Sequence, residues 1–288
     1  MFRFLGTVFN HFFSNNTFQK GASLAYYAVF SLLPMIIILV SLLGIVFGKQ
    51  AVSGEIYTQL KDTLGSDAAL QIQDIIKNQH IHHNNVLTTT IGFVTLIFSA
   101  SGMFSQIHNS FNSMWNIKAK PKNSVIRYLK KHLFSFFLLI SLFLIILVSA
   151  TLNSFLIKYE AGLHPDYQFL AFYEHLVSFL VISLVFFIMF RFMSDAKIYW
   201  KAALWGGLVT GLLFTFGKIL IGFYVGKSHL SSTFGSASVL AVIMLWVYYT
   251  SQIIFLGTSF IKILSEKLGH PIQPKTDAVL IENREVSK

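Results

Sequence analysis

Tyr27 and Ser31 stand four residues apart; Ser101, Ser105, His108, Asn109 and Asn112 recur at steps of three and four; Tyr248 and Gln252 are again four apart. Such steps put each group on one face of a helix. All three groups interrupt stretches rich in Leu, Ile, Val and Phe, where polar side chains are costly and their placement is informative. Hydroxyls, amides and an imidazole aligned in this way can line a path for a polar or amphiphilic solute, as in a transporter or lipid translocator. The same groups can equally serve as hydrogen-bonding glue between helices, and spacing alone does not separate the two uses.

Other residues invite chemistry less strongly. Glu174 and Lys218 fall in apolar runs at comparable depth, so an intramembrane ion pair is expected between them; a coupling role for Lys218 and simple snorkelling to head groups both stay open. Gly207 and Gly211 form a small-xxx-small step suited to close helix packing, and Pro34 permits a kink just beyond Ser31. His80, His82 and His83 have no Cys, Asp or Glu within five residues, so neither a metal nor any other cofactor is expected. Lys118, Lys120, Lys122, Arg127, Lys130 and Lys131 form a basic cluster that no aromatic stacking pattern accompanies, which reads as contact with anionic lipid head groups and not with nucleic acid.

The elements that position these groups follow from composition. The chain of 288 residues is 54% hydrophobic and 12% charged, with 30 Phe against 12 acids. Its mean hydropathy is +0.63. A water-soluble fold could not cover itself with so little polar surface, whereas lipid removes that need. Six stretches reach the length of a bilayer crossing, near 23–47, 86–106, 132–156, 170–193, 202–226 and 235–261. The expected fold is an all-α polytopic membrane bundle. Absence of cysteine excludes disulfides and thiolate metal sites without choosing a compartment.

Charge sets the orientation. Basic residues in short loops stay in the cytoplasm. The segments after the second and fourth stretches, together with both tails, hold sixteen of the 22 Lys and Arg residues. The alternate loops hold Lys49, Lys61, Lys77, Lys158 and Lys227. Both termini are therefore expected inside, and the Ser- and Thr-rich second stretch is needed to keep the Lys118–Lys131 cluster on that side. All three polar stripes then lie toward the cytoplasmic half, between spans 1, 2 and 6.

Residues 1–22 place Leu5, Val8, Phe9, Phe12 and Phe13 on one helical face and read as an interfacial segment; Asn10, His11 and the lack of a small-residue cleavage site argue against a signal peptide. Residues 23–264 form the membrane domain, with two short amphipathic helices expected in the outer loop 50–85. Residues 265–288, with Pro271, Pro274 and mixed charges, read as a disordered cytoplasmic tail. Oligomeric state, including a homo-oligomer, is open.

The runs GASLAYYAVFSLLPMI at 21–36, SFNSMW at 110–115, AKIYWKAALWGGLVTGLLF at 196–214 and TFGSASVLAVIMLWVYYTSQIIFLG at 233–257 resemble the YihY/BrkB family of bacterial inner-membrane proteins. The resemblance implies a six-span cytoplasmic-membrane protein, with links in some members to serum resistance and in others to movement of lipid or envelope components. The family usually carries a Glu two residues after the glycine that ends the last span; here Gly257 is followed by Thr258 and Ser259, so no carboxylate chemistry transfers to that place. Members were long labelled ribonuclease BN. The cytoplasmic loops offer Asp195 without a second acid nearby, too little for metal-dependent RNA hydrolysis, so no enzyme is expected. The functional expectation is a transporter or translocator, with a non-transporting scaffold or envelope-assembly partner as the alternative.

Overall fold

The computed structural model describes residues 2–31, 54, 57, 69, 70, 72–74, 102–120, 167–227 and 238–281, with the side chains of 2, 167–175, 222, 225–227, 238 and 239 left out. The expected third span, most of the outer loop, and Pro34, Ser101, Lys122, Arg127, Lys130, Lys131 and the three loop histidines lie outside the described residues, as does the side chain of Glu174.

Among the described residues, α1 runs Phe2–Ser14, α2 covers 17–31 and α3 covers 102–114. Strand β1 is Ile117–Ala119, α4 Tyr167–Phe192, β2 Ala196–Lys197, α5 Trp200–Lys227 and α6 Ser238–Lys267. Two further strands, β3 at Gln273–Pro274 and β4 at Ala278–Leu280, follow. Two helices contain stretches long and apolar enough to cross a membrane, Trp200–Ile221 and Leu240–Lys267, and Leu176–Phe192 is a shorter apolar segment. Asn16 separates α1 from α2 with φ 51°, and Asn116 ends α3 with φ 55°, the left-handed conformation that asparagine tolerates better than most residues.

The chain forms two compact units. The first comprises Met1–Asn15, His108–Thr215 and Ile253–Lys288. Its core is aromatic: Phe111, Trp115, Phe190 and Phe255 are fully buried, and the Phe111 and Phe190 rings lie 5.6 Å apart. Trp115 satisfies its indole by donating Nε1–H to the Thr258 carbonyl at 3.2 Å. Glycines bring α4, α5 and α6 close. A methyl group at Gly207 would lie 2.7 Å from the Ser183 carbonyl, one at Gly211 would collide with the Ser183 hydroxyl, and one at Gly257 with the Thr210 hydroxyl. Ser183 Oγ and Thr210 Oγ1 are buried without a conventional partner. Each is packed where a glycine has only Cα–H to offer, the weak contact that recurs in close helix packing.

α1 docks in this unit. Val8 and Phe12 are buried while Leu5, Phe9 and Phe13 are exposed, so the single apolar face expected from sequence divides into a protein-facing and an outward stripe. Phe4 meets Phe260 edge to face at 5.5 Å, and Lys267 stands over the Phe4 ring at 5.3 Å.

The expectation of a disordered tail from residue 265 is corrected as far as Ile281; residues 282–288 lie outside the described residues. α6 stops in a Schellman turn: His270 N–H donates to the Ser265 carbonyl at 2.9 Å and Gly269 N–H to that of Glu266 at 3.1 Å, with Gly269 at φ 72°. The chain then crosses both preceding loops as a strap. β3 pairs antiparallel with β2, and β4 pairs antiparallel with β1. Lys120 N–H donates to the Asp277 carbonyl at 2.8 Å and Ile281 N–H to that of Asn116 at 2.7 Å. Polar, proline-containing sequence is ordered here because two loops supply strand partners for its backbone.

The second unit comprises Asn16–Ile107 and Phe216–Gln252. Leu24, Ala25, Ala28 and Ser31 form the buried face of α2. Ala69 and Ile72, in the expected outer loop, are buried within helical residues.

Candidate functional site

In the second unit, α2 touches both other helices expected to carry polar stripes. A methyl group at Gly102 of α3 would lie 2.9 Å from the Tyr27 ring, and Ser31 Oγ lies 3.5 Å from Met103 Sδ. On the α6 side, a methyl at Gly21 would overlap the Gln252 amide and lie 2.5 Å from Ser251 Oγ. Gln252 Nε2 donates at 3.5 Å to the Thr17 carbonyl and lies 3.3 Å from Ser251 Oγ. Ser251 in turn donates to the Tyr248 carbonyl at 2.6 Å. The other end of that amide, Gln252 Oε1, is buried without a hydrogen-bond partner. Such an orphan acceptor costs about 1–3 kcal/mol unless something supplies a donor.

Tyr27, Ser31, Tyr248 and Gln252 thus belong to this junction, with Ser105 half-buried on α3. Tyr27 is 41% exposed, and the neighbouring rings of Tyr26 and Phe30, 5.1 Å apart, are more exposed still. Gly21 and Thr17 were not singled out in the sequence. The signal was the small residue at 21, six positions before Tyr27 and off the face that the stripe marks. Lys218 is exposed on α5, and its expected pairing with Glu174 falls outside the described side chains.

Asn109 and Asn112 belong to the first unit. Asn109 is exposed, whereas Asn112 is buried and both ends of its amide are engaged by Asp195. Asn112 Nδ2 donates to Asp195 Oδ2 at 2.9 Å, and Asn112 Oδ1 accepts from the Asp195 backbone N–H at 2.9 Å. His108 completes a ring of contacts: Nδ1 is 3.4 Å from Asn112 Nδ2, and Nε2 is 3.4 Å from Asp195 Oδ2. Since Asn112 Nδ2 is a donor, Nδ1 accepts and the proton sits on Nε2, facing the carboxylate. The strap closes the assembly. Lys275 Nζ donates to the Ser194 carbonyl at 2.7 Å, and Lys275 N–H to that of Asp195 at 2.8 Å. Burial pushes the Lys275 ammonium below its ordinary value; Asp195 acts to raise it and Arg191 to lower it further. Arg191 itself donates to the Ile198 carbonyl. Asp195 looks isolated in the sequence because no second acid lies near it in the chain, whereas its partners are an amide and an imidazole 83 and 87 positions away.

A third polar contact joins α1 to α6. His11 Nδ1 lies 3.0 Å from Ser259 Oγ. Burial and the Lys262 ammonium push the His11 imidazole below its ordinary value, opposed by a hydrogen bond at the Met114 backbone and by the Glu266 carboxylate. Ser259 therefore holds an N-terminal histidine at the place where the resembled family carries an acid. Among the described residues, no group of three or more His, Cys, Asp or Glu could hold a metal ion.

Comparison with known proteins agrees with the resemblance. The UPF0761 membrane protein of Psychrobacter sp. (strain PRwf-1) is 26% identical over 259 residues, 89% of this chain and 47% of the relative. That of Saccharophagus degradans is 23% identical over 288 residues, covering 97% of this chain and 64% of the relative. A Bacillus subtilis protein named as ribonuclease-like, YfkH, is 25% identical over 279 residues, 93% of this chain and 97% of its own. The chain thus spans about half to two thirds of the first two relatives. No solved structure matches. Residues 8–279 match the family described as virulence factor BrkB, so this membrane protein belongs to that family.

Proposed function

We propose that this protein crosses the bacterial cytoplasmic membrane six times with both ends inside, and that it moves a lipid or envelope component along a polar path between α2, α3 and α6. One observation carries the reading. Gln252, within an apolar helix, is held against glycine at 21 with its amide oxygen buried and unsatisfied. A passing hydroxyl, amine or water would supply the missing donor.

The test is comparative lipid and metabolite profiling of cells with and without the protein, then reconstitution with whatever accumulates. Gln252→Leu should abolish the rescue while the protein stays folded. A scaffold makes the opposite forecast: Gln252→Leu, Tyr27→Phe and Ser105→Ala would all rescue fully, and the transport reading would fall. Topology is open to a separate check because the chain has no cysteine. A single cysteine at Lys120 should react with an impermeant maleimide only from the cytoplasmic side, and one at Lys227 only from outside.

We read the chain as a carrier and not a nuclease, since the Asp195 carboxylate is occupied by Asn112 and His108. Hydrolysis of RNA by the purified protein, lost in Asp195→Asn, would reverse that reading.

A further inference from the structure

The start of α5 presents an unusual surface. In β2 the pleat buries Ala196 and turns Lys197 outward, and Ile198 beyond it is buried again. Tyr199 then stacks on His270 of the strap with ring centroids 4.2 Å apart, while Trp200 is left 50% exposed. Lys201 Nζ stands 5.7 Å from the centre of the Trp200 ring. One turn further, Leu204 and Trp205 are exposed, and Leu212 continues the same outward side. The acid of this segment, Asp195, is engaged by Asn112 and His108.

We infer that Lys197, Trp200, Lys201 and Trp205 form a binding surface for the head group of an anionic phospholipid, with Leu204 and Leu212 beneath it for the acyl chains. The chemistry fits one occupant. Exposed indoles on an apolar helix favour the head-group level of a bilayer. Two lysines beside them attract negative lipid phosphate, and a Lys over an indole keeps its stem on apolar surface and its charge in the polar layer. Strap pairing fixes the geometry, because β3 holds β2 and His270 holds Tyr199. The site uses none of the residues of the Lys118–Lys131 cluster and does not depend on transport.

The protein's own tryptophans report on it. Four are present; Trp115 and Trp246 are buried, and Trp200 and Trp205 are exposed. In vesicles at low salt, fluorescence should be quenched more by phosphatidylglycerol brominated near the top of its acyl chains than by the matching phosphatidylcholine. About fivefold local enrichment per lysine is expected, weakening as salt is raised. Lys197→Gln with Lys201→Gln should make the two lipids quench equally, and Trp200→Phe with Trp205→Phe should remove the lipid-dependent difference. Equal quenching in the unmodified protein would overturn the proposal, as would a phosphatidylglycerol preference that survives either double substitution.

Discussion

Asn112 and Asp195, 83 residues apart, hold each other through two hydrogen bonds of 2.9 Å, side chain to side chain and side chain to backbone. The pair ties the end of α3 to the loop between α4 and α5, where the strap also arrives.

Asn112→Ala removes both bonds and leaves a partly buried carboxylate short of a donor. The expected loss is about 2–4 kcal/mol, read as a fall in the thermal midpoint of the purified protein. Asn112→Asp should cost at least as much, because it sets like charges together. If either variant matched the parent, the clamp would have no energetic weight.

Glycine substitutions should rank by what the added methyl meets. Gly207→Ala meets the Ser183 backbone carbonyl, which cannot move aside, and should destabilise by about 1–3 kcal/mol. Gly206→Ala meets Cγ1 and Cδ1 of the fully buried Ile261, which must repack as a whole, and should cost a similar amount. Gly6→Ala meets nothing within 4 Å and should be neutral or slightly stabilising. Thermal midpoints of the three variants give the order.

Docking of α1 should depend on pH. Burial, and after it the Lys262 ammonium, hold the His11 imidazole below its ordinary 6.5, with Glu266 partly compensating. A free helix takes up a proton at higher pH than a docked one. The contribution of neutral His11 is therefore fully present above about 6.5 and is lost as pH falls from there toward the docked value. Limited proteolysis within residues 1–15 should accelerate over that window, and His11→Gln should flatten the dependence. A rate independent of pH in the parent would contradict it.

The strap can be trapped. Lys118 and Val279 face each other across β1 and β4, and no native cysteine competes. Lys118→Cys with Val279→Cys should cross-link on mild oxidation, visible as a mobility shift reversed by reductant. Lys118→Cys with Gln273→Cys, which faces Lys197 of β2 instead, should cross-link more slowly.

Apolar runs and charge asymmetry made a membrane protein legible, and α4, α5 and α6 fall within a few residues of the stretches expected for them. The small-xxx-small step at Gly207 and Gly211 announced close packing, though not that Ser183 would be the partner. Two things escaped. The strap was invisible because its order comes from strand partners about 80 and 160 residues earlier, and local composition carries no trace of them. Asn112 was grouped with a membrane stripe because helical periodicity continues past the unit boundary; periodicity reports a face, not which neighbour that face meets.

The contact between His11 and Ser259 spans 248 positions, which has a consequence for synthesis. α1 leaves the ribosome well ahead of its docking surface on α6. Until then Val8 and Phe12 need another apolar surface, and the growing chain's bilayer is the one at hand. α1 thus has to wait while the intervening residues are made, and the core around Trp115 closes only when α6 has been delivered.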